Sequence, residues 1–270
     1  MDYLKNFLKG IAAGVATLVP GVSGGTMAII LGIYDDLIHA VGSFFDNWKK
    51  NFMFLMVIGI GGVLGILLFS RLLENAIANY PHIMQFLFMG IIIGGLPVLY
   101  RKSAATGKAS ITDLIFLIVG FALVLFMSAE PTAIINMATA QGALSVIFLF
   151  AAGIIIAIAL VLPGISGSFM LLVLGMYGIT LNAINTVNIP FLIPLGLGVA
   201  AGTIGTAKII EGFLQKHPGK TYKLIIGFVL GSLVQAFPGL PTNSQLPASA
   251  AVFIIGFLAI YWLGRKGHTD

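Results

Sequence analysis

Cysteine is absent from the 270 residues, and charge is scarce, with Asp, Glu, Lys and Arg together making up 9% of the chain. The first absence excludes disulfides, thiolate metal sites and cysteine nucleophiles. The second argues against an ordinary soluble fold, in which about a quarter of residues are charged. His39, His82, His217 and His268 are scattered without ligand spacing, so no metal centre is expected. Strand-type alternation is missing from the apolar stretches, which argues against a β-barrel. What is present is hydrophobic: 59% of residues, with charge-free stretches at 52–70, 83–100, 143–174 and 191–207. Each is long enough to cross a hydrocarbon core as a helix. The 14 Lys and Arg give a formal charge of +5 but lie between these runs, forming no stripe for nucleic acid. They read as membrane-topology signals. The first 20 residues mimic a signal peptide, yet Gly10 and Gly14 interrupt them and no small-x-small cleavage site stands out. They are expected to stay.

The chain repeats itself. PGVSGGTMAIILGIY at 20–34 matches PGISGSFMLLVLGMY at 163–177 at an offset of 143, and eight of the 15 positions are identical. At an offset of 137, Gly59, Gly61, Gly65, Arg71, Glu74 and Pro81 fall on Gly196, Gly198, Gly202, Lys208, Glu211 and Pro218, and Gly90 and Gly94 fall on Gly227 and Gly231. Gly120-Phe121 meets Gly256-Phe257 at 136. The whole of 1–270 therefore reads as a single transmembrane domain, with a first repeat at 1–135 and a second at 142–270.

Each half holds an apolar segment broken at Pro-Gly, followed by three apolar runs. If the broken segment is re-entrant, each half crosses three times, and an odd number inverts the second copy. The expected fold is thus an all-α polytopic membrane protein of two inverted-topology repeats, each a re-entrant helical hairpin plus three transmembrane helices. Charge supports the inversion independently. Lys49, Lys50, Arg101, Lys102 and Lys108 occupy first-half loops whose counterparts at 183–190 and 236–248 hold no Lys or Arg. Lys216, Lys220 and Lys223 occupy the one loop whose counterpart, 75–82, is bare. Both termini are then cytoplasmic, and Trp48, Tyr80, Tyr100, Tyr222 and Trp262 lie near span ends as an aromatic belt.

A Pro-Gly break inside an apolar segment frees backbone N–H groups that lipid cannot satisfy, so it must be buried in protein or line a wet cavity. Ser23 and Ser166 are placed to cap the half-helices that follow, and Gly24, Gly25 and Gly167 let a ligand approach the backbone. Two such tips near the midplane suit an anion. The GxxxG pairs at Gly61/Gly65, Gly90/Gly94, Gly198/Gly202 and Gly227/Gly231 read as close helix contacts. Arg71 with Glu74, and Lys208 with Glu211, share a helix face at i, i+3 at a depth where charge usually faces a cavity. The arginine and lysine are candidate phosphate contacts and the two glutamates candidate proton carriers. Asp35, Asp36, Asp46 and Glu130 read as solvated loop charges.

The doublet resembles the bacterial polyprenyl-phosphate transporter family, along the full chain. The resemblance implies a translocase, not an enzyme, that returns undecaprenyl phosphate from the outer to the inner leaflet of the bacterial cytoplasmic membrane, without cofactor or metal. Carried over by motif, the substrate-binding residues are Pro20, Gly21, Ser23, Gly24, Gly25 and Thr26, with Pro163, Gly164, Ser166, Gly167 and Ser168. Two alternatives stay open. An undecaprenyl-diphosphate phosphatase also pairs inverted repeats, with loops reading approximately PGxSRSG, but Gly24 and Gly167 stand where its Arg would be and no glutamate cluster accompanies them. A small-anion carrier would use the same site.

Overall fold

The computed structural model describes residues 2–18, 23–105, 111–128, 143–165 and 167–266. Regular structure among them is helical: α1 (Tyr3–Thr17), α2 (Gly24–Ile30), α3 (Tyr34–Gly42), α4 (Trp48–Asn79), α5 (Pro81–Ala104) and α6 (Ile111–Ser128), then α7 (Ala143–Val161), α8 (Gly167–Val173), α9 (Tyr177–Asn185), α10 (Ile189–Lys216), α11 (Pro218–Ala236) and α12 (Leu246–Lys266). Six elements are thus followed by six of the same order. Helices α4, α5, α7, α10 and α12 are long and apolar enough to span a bilayer, α6 is slightly shorter, and α2 with α3 forms a pair bent by 120°. The chain is a multi-span α-helical membrane protein. Large apolar side chains on its outer surface agree, among them Leu67 and Leu68 of α4 and Ile255 of α12.

Local chemistry explains where the elements stop. Helix α2 ends because Gly32 takes a left-handed φ of 68°, letting Ile33 N–H bond the Ala28 carbonyl at 2.9 Å. Gly175 (φ 67°) and the bond from Met176 N–H to Leu171 O at 2.8 Å repeat this Schellman ending 143 residues later. The long helices turn at Tyr80 and at His217, each followed by a proline in the first helical position, where its missing N–H costs nothing.

Four helix pairs carry the packing, and glycine sets each. A Cβ on Gly14 of α1 would lie 2.1 Å from the Gly62 carbonyl oxygen of α4, and one on Gly198 of α10 would lie 2.1 Å from that of Phe150 on α7. A Cβ on Gly90 of α5 would likewise lie 2.2 Å from Phe253 O of α12, and one on Gly227 of α11 would lie 2.2 Å from Leu117 O of α6. Backbones this close gain dispersion and Cα–H···O contacts where lipid offers no hydrophobic drive. The expected role of the GxxxG pairs is met. One feature differs from any simple division into halves: α5 packs on α12 and α11 on α6, so each half lends its last helix to the other, while α5 and α11 meet at the centre.

Candidate functional site

The two copies of the motif touch. The Ser23 hydroxyl oxygen accepts the Thr26 N–H at 3.1 Å, as the N-cap of α2, and also the Gly164 N–H of the other copy at 2.8 Å. Its third contact is with the Thr26 hydroxyl at 3.0 Å. Both side chains are buried. Gly164 sits at φ +86°, where a Cβ would lie 2.8 Å from the Phe228 carbonyl carbon of α11, and a Cβ on Gly25 would lie 3.4 Å from Pro163 Cα. Tyr34, first residue of α3, donates its hydroxyl to the Val161 carbonyl at 3.1 Å, satisfying an acceptor freed where α7 ends. Between α2, α3, α7 and α10 lies a cavity of ≈ 160 Å³, lined in part by Gly24, Gly25, Tyr34, Val161 and Thr203. Pro20, Gly21 and Ser166, and the side chain of Ser168, lie outside the described residues. Gly167 is buried against Leu160.

Ser23 therefore joins the halves as well as capping a helix. Ser23→Ala should remove the acceptor of two buried N–H groups and destabilise the protein by about 1–3 kcal/mol. The check is its thermal unfolding midpoint in detergent against that of Thr203→Ala, whose hydroxyl bonds only its own helix at Val199 O.

The charged candidates do not pair as their spacing suggests. Arg71, Glu74 and Lys208 are exposed, and neither i, i+3 pair forms an ion pair among the described residues. Positions three apart on a helix diverge by about 60°, enough to turn Lys208 outward and Glu211 inward. Glu211 is buried against α3, where the Ser43 hydroxyl donates to Oε2 at 2.9 Å and His39 Nδ1 lies 2.5 Å from Oε1. A Cβ on Gly42 would lie 2.8 Å from the same carboxylate. The other end of α3 is tied too. Asp35 accepts from Lys102 Nζ of α5 at 2.6 Å and from the Tyr222 hydroxyl of α11 at 2.7 Å. Asp35 is solvent-exposed as expected, yet it lies in the first turn of α3 rather than in a loop and holds three elements, and Tyr222 is a buried partner rather than part of an aromatic belt.

The second copy is arranged differently. By the 143 offset, Asn182 and Thr186 stand where the first copy has His39 and Ser43, and by the 137 offset Glu74 stands where the second has Glu211. All three are exposed, Thr186 bonds only back to Asn182 O at 2.8 Å, and α9 has no packing on α4 to match that of α3 on α10.

Comparison with known proteins decides the family. The model of the undecaprenyl phosphate translocase-like family matches residues 13–254. The chain belongs to that family. A polyprenyl-phosphate transporter of Staphylococcus aureus (strain NCTC 8325 / PS 47) is 41% identical over 274 residues, covering 96% of this chain and 95% of that protein. One of Vibrio cholerae serotype O1 (strain ATCC 39315 / El Tor Inaba N16961) is 30% identical over 264 residues, covering 90% and 80%. No solved structure matches. Both relatives are transporters by name, so the membership speaks against the phosphatase alternative.

Within this family frame, the residues that sequence reasoning missed are His39, Ser43, Asp35, Lys102 and Tyr222. A signal for two of them was available: extending the 143 offset beyond Tyr34 aligns His39 with Asn182 and Ser43 with Thr186, polar with polar.

Proposed function

We propose that this chain carries a polyprenyl phosphate, undecaprenyl phosphate as in the description of its family, from the outer to the inner leaflet of the bacterial cytoplasmic membrane by alternating access. The observation that carries the reading is the inequality of two repeat-related contacts. Helix α3 is fastened to α10 through Glu211, whereas the equivalent Glu74, Asn182 and Thr186 stand apart. Two gates at repeat-related positions, one shut and one open, are what a carrier needs to expose one site to each side in turn. The inverted topology expected from the loop charges would put α3 and Glu211 toward the cytoplasm and α9 and Glu74 outside. This state then opens outward.

The cargo's headgroup fits the motif junction. First-turn N–H groups of a helix lack intrahelical partners, and Gly24 and Gly25 line the cavity there. A phosphate would meet backbone donors with no side chain in the way, while its prenyl chain remains in lipid. Thr26, Pro163 and Gly167 shape or flank that junction in this proposal, and Pro20, Gly21, Ser166 and Ser168 join the substrate-binding set by motif alone. Arg71 attracts the phosphate outside and Lys208 inside.

The absence of cysteine allows a direct test. Thr186→Cys should react with an impermeant maleimide only from outside, and Lys49→Cys only from the cytoplasm. Labelling of both from one face would sink the inverted arrangement. Saturating prenyl phosphate should slow the outer reaction as α9 closes on α4.

A further inference from the structure

A second cavity, of ≈ 490 Å³, lies between α6, α7, α10 and α11. Its wall is apolar: Phe116, Ile158, Ile209, Phe213, Leu224 and Phe228. Ile209 and Phe213 are half or more exposed on the outer surface, so the cavity opens sideways toward lipid. One end touches the motif junction, because Leu162 precedes Pro163 and Phe228 supports the Gly164 turn. The other end holds its two basic residues, His217 and Lys220, and no carboxylate lines any part of it. Lys220 Nζ stands 5.9 Å above the Phe116 ring, at the boundary between basic rim and apolar wall.

Repeat symmetry shows that these features are not demanded by the fold. At the 137 offset, Phe213, His217 and Lys220 correspond to Ala76, Tyr80 and Ile83. The same helix turn is built in the first half without either basic residue. Lys220 also sits near the N-terminus of α11, where a cation is disfavoured by the helix dipole. An anionic ligand would reverse that cost.

We infer that this cavity binds the substrate's first isoprene units, with the phosphate monoester held at Lys220 and His217. The inference rests on the transport reading and adds to it a location on the release side of the carrier. One chain and one compact anion match one apolar chamber with one basic end. A diacyl phospholipid carries two chains joined at a glycerol, and a free anion would leave the apolar wall unused. From Phe228 to Lys220 the chamber follows α11 for about 12 Å, enough for the head of the lipid while the remaining chain passes out between Ile209 and Phe213 into the bilayer.

The test uses the full chain in detergent or nanodiscs, with farnesyl phosphate as the probe and farnesol, inorganic phosphate and dioleoyl phosphatidylglycerol as competitors. Lys220→Gln should weaken farnesyl phosphate about tenfold and leave farnesol unchanged, since only the headgroup contact is lost. Ile209→Trp, which narrows the chamber from an exposed position, should weaken farnesyl phosphate and farnesol alike. Wild-type affinity in both variants would overturn this site while leaving transport of the lipid standing. Equal competition by phosphatidylglycerol would make the cavity an ordinary lipid crevice, and equal competition by inorganic phosphate would make it a small-anion site; each overturns the inference. Failure of the wild-type protein to bind farnesyl phosphate at all would instead remove the transport reading, and this inference with it.

Discussion

Gly164→Ala should abolish transport and lower the yield of folded protein, while Gly205→Ala should leave both intact. At Gly164 the backbone holds φ +86°, and the added Cβ would lie 2.8 Å from the Phe228 carbonyl carbon and 2.9 Å from Val229 N. Those are backbone atoms of α11 and cannot swing aside. The conformational strain and the overlap together cost about 2–6 kcal/mol, comparable with the stability of a domain. The same shift would pull the Gly164 N–H off Ser23, breaking the bond that joins the two motif copies. At Gly205 nothing lies within 4 Å of the added methyl, and alanine is the better helix former by about 1 kcal/mol. Detergent melting curves and liposome uptake of a labelled prenyl phosphate distinguish the cases. A Gly164→Ala protein that folds and transports normally would show that the motif junction is free to move.

What could be read from the sequence follows from how each feature is encoded. The membrane class and the glycine faces were legible because both are local: apolar length sets the one, and spacing of four residues sets the other. The pairing of those faces was not, because Gly90 can announce a close partner without saying that it is Phe253 of the opposite half. The turn at Gly32 lay inside the very doublet that revealed the repeat, yet a glycine in an apolar run looks the same whether it packs a helix or ends one. Only its φ of 68° tells the two apart. The charge pairs failed for a related reason. A spacing of three puts Lys208 near Glu211 along the helix, but the carboxylate takes its partners from α3, whose approach no local pattern records. Ser23 as a helix cap was legible from residue type and spacing. That Ser23 bonds the other copy's backbone needed the fold.

Glu211→Gln should remove the response of transport to cytoplasmic pH and leave prenyl phosphate binding largely unchanged. A phosphate monoester carries between one and two negative charges near neutral pH, and each costs about 2.3 kcal/mol to move inward against a 100 mV inside-negative potential. In the transport proposed above, protons entering with the lipid would offset that cost. Glu211 and Glu74 are the acidic groups that the repeat places at equivalent positions in both halves, and the structure puts them in opposite states, one buried under α3 and one exposed. The groups around Glu211 are His39 and Ser43 on α3, with Asp36 one turn before His39, and Lys208 one turn before it on α10; α7, packed on the same helix, has no titratable residue. In the proposed cycle, a change of charge on Glu211 would bear directly on its contacts with His39 and Ser43, which hold α3 to α10. A hydrogen bond to a charged group contributes about 1.5–3 kcal/mol, so neutralising the carboxylate should shift the gate toward open by about 10- to 100-fold. The second gate lacks the histidine, since Asn182 stands in its place. Its closure onto Glu74, through Asn182 and Thr186, should therefore respond to protonation of the glutamate alone. Transport by Glu211→Gln should lose its response to cytoplasmic pH, and transport by Glu74→Gln its response to external pH. Wild-type gradient dependence in both variants would make the glutamates structural fasteners of α10 and α4, and would place the coupling on another ion.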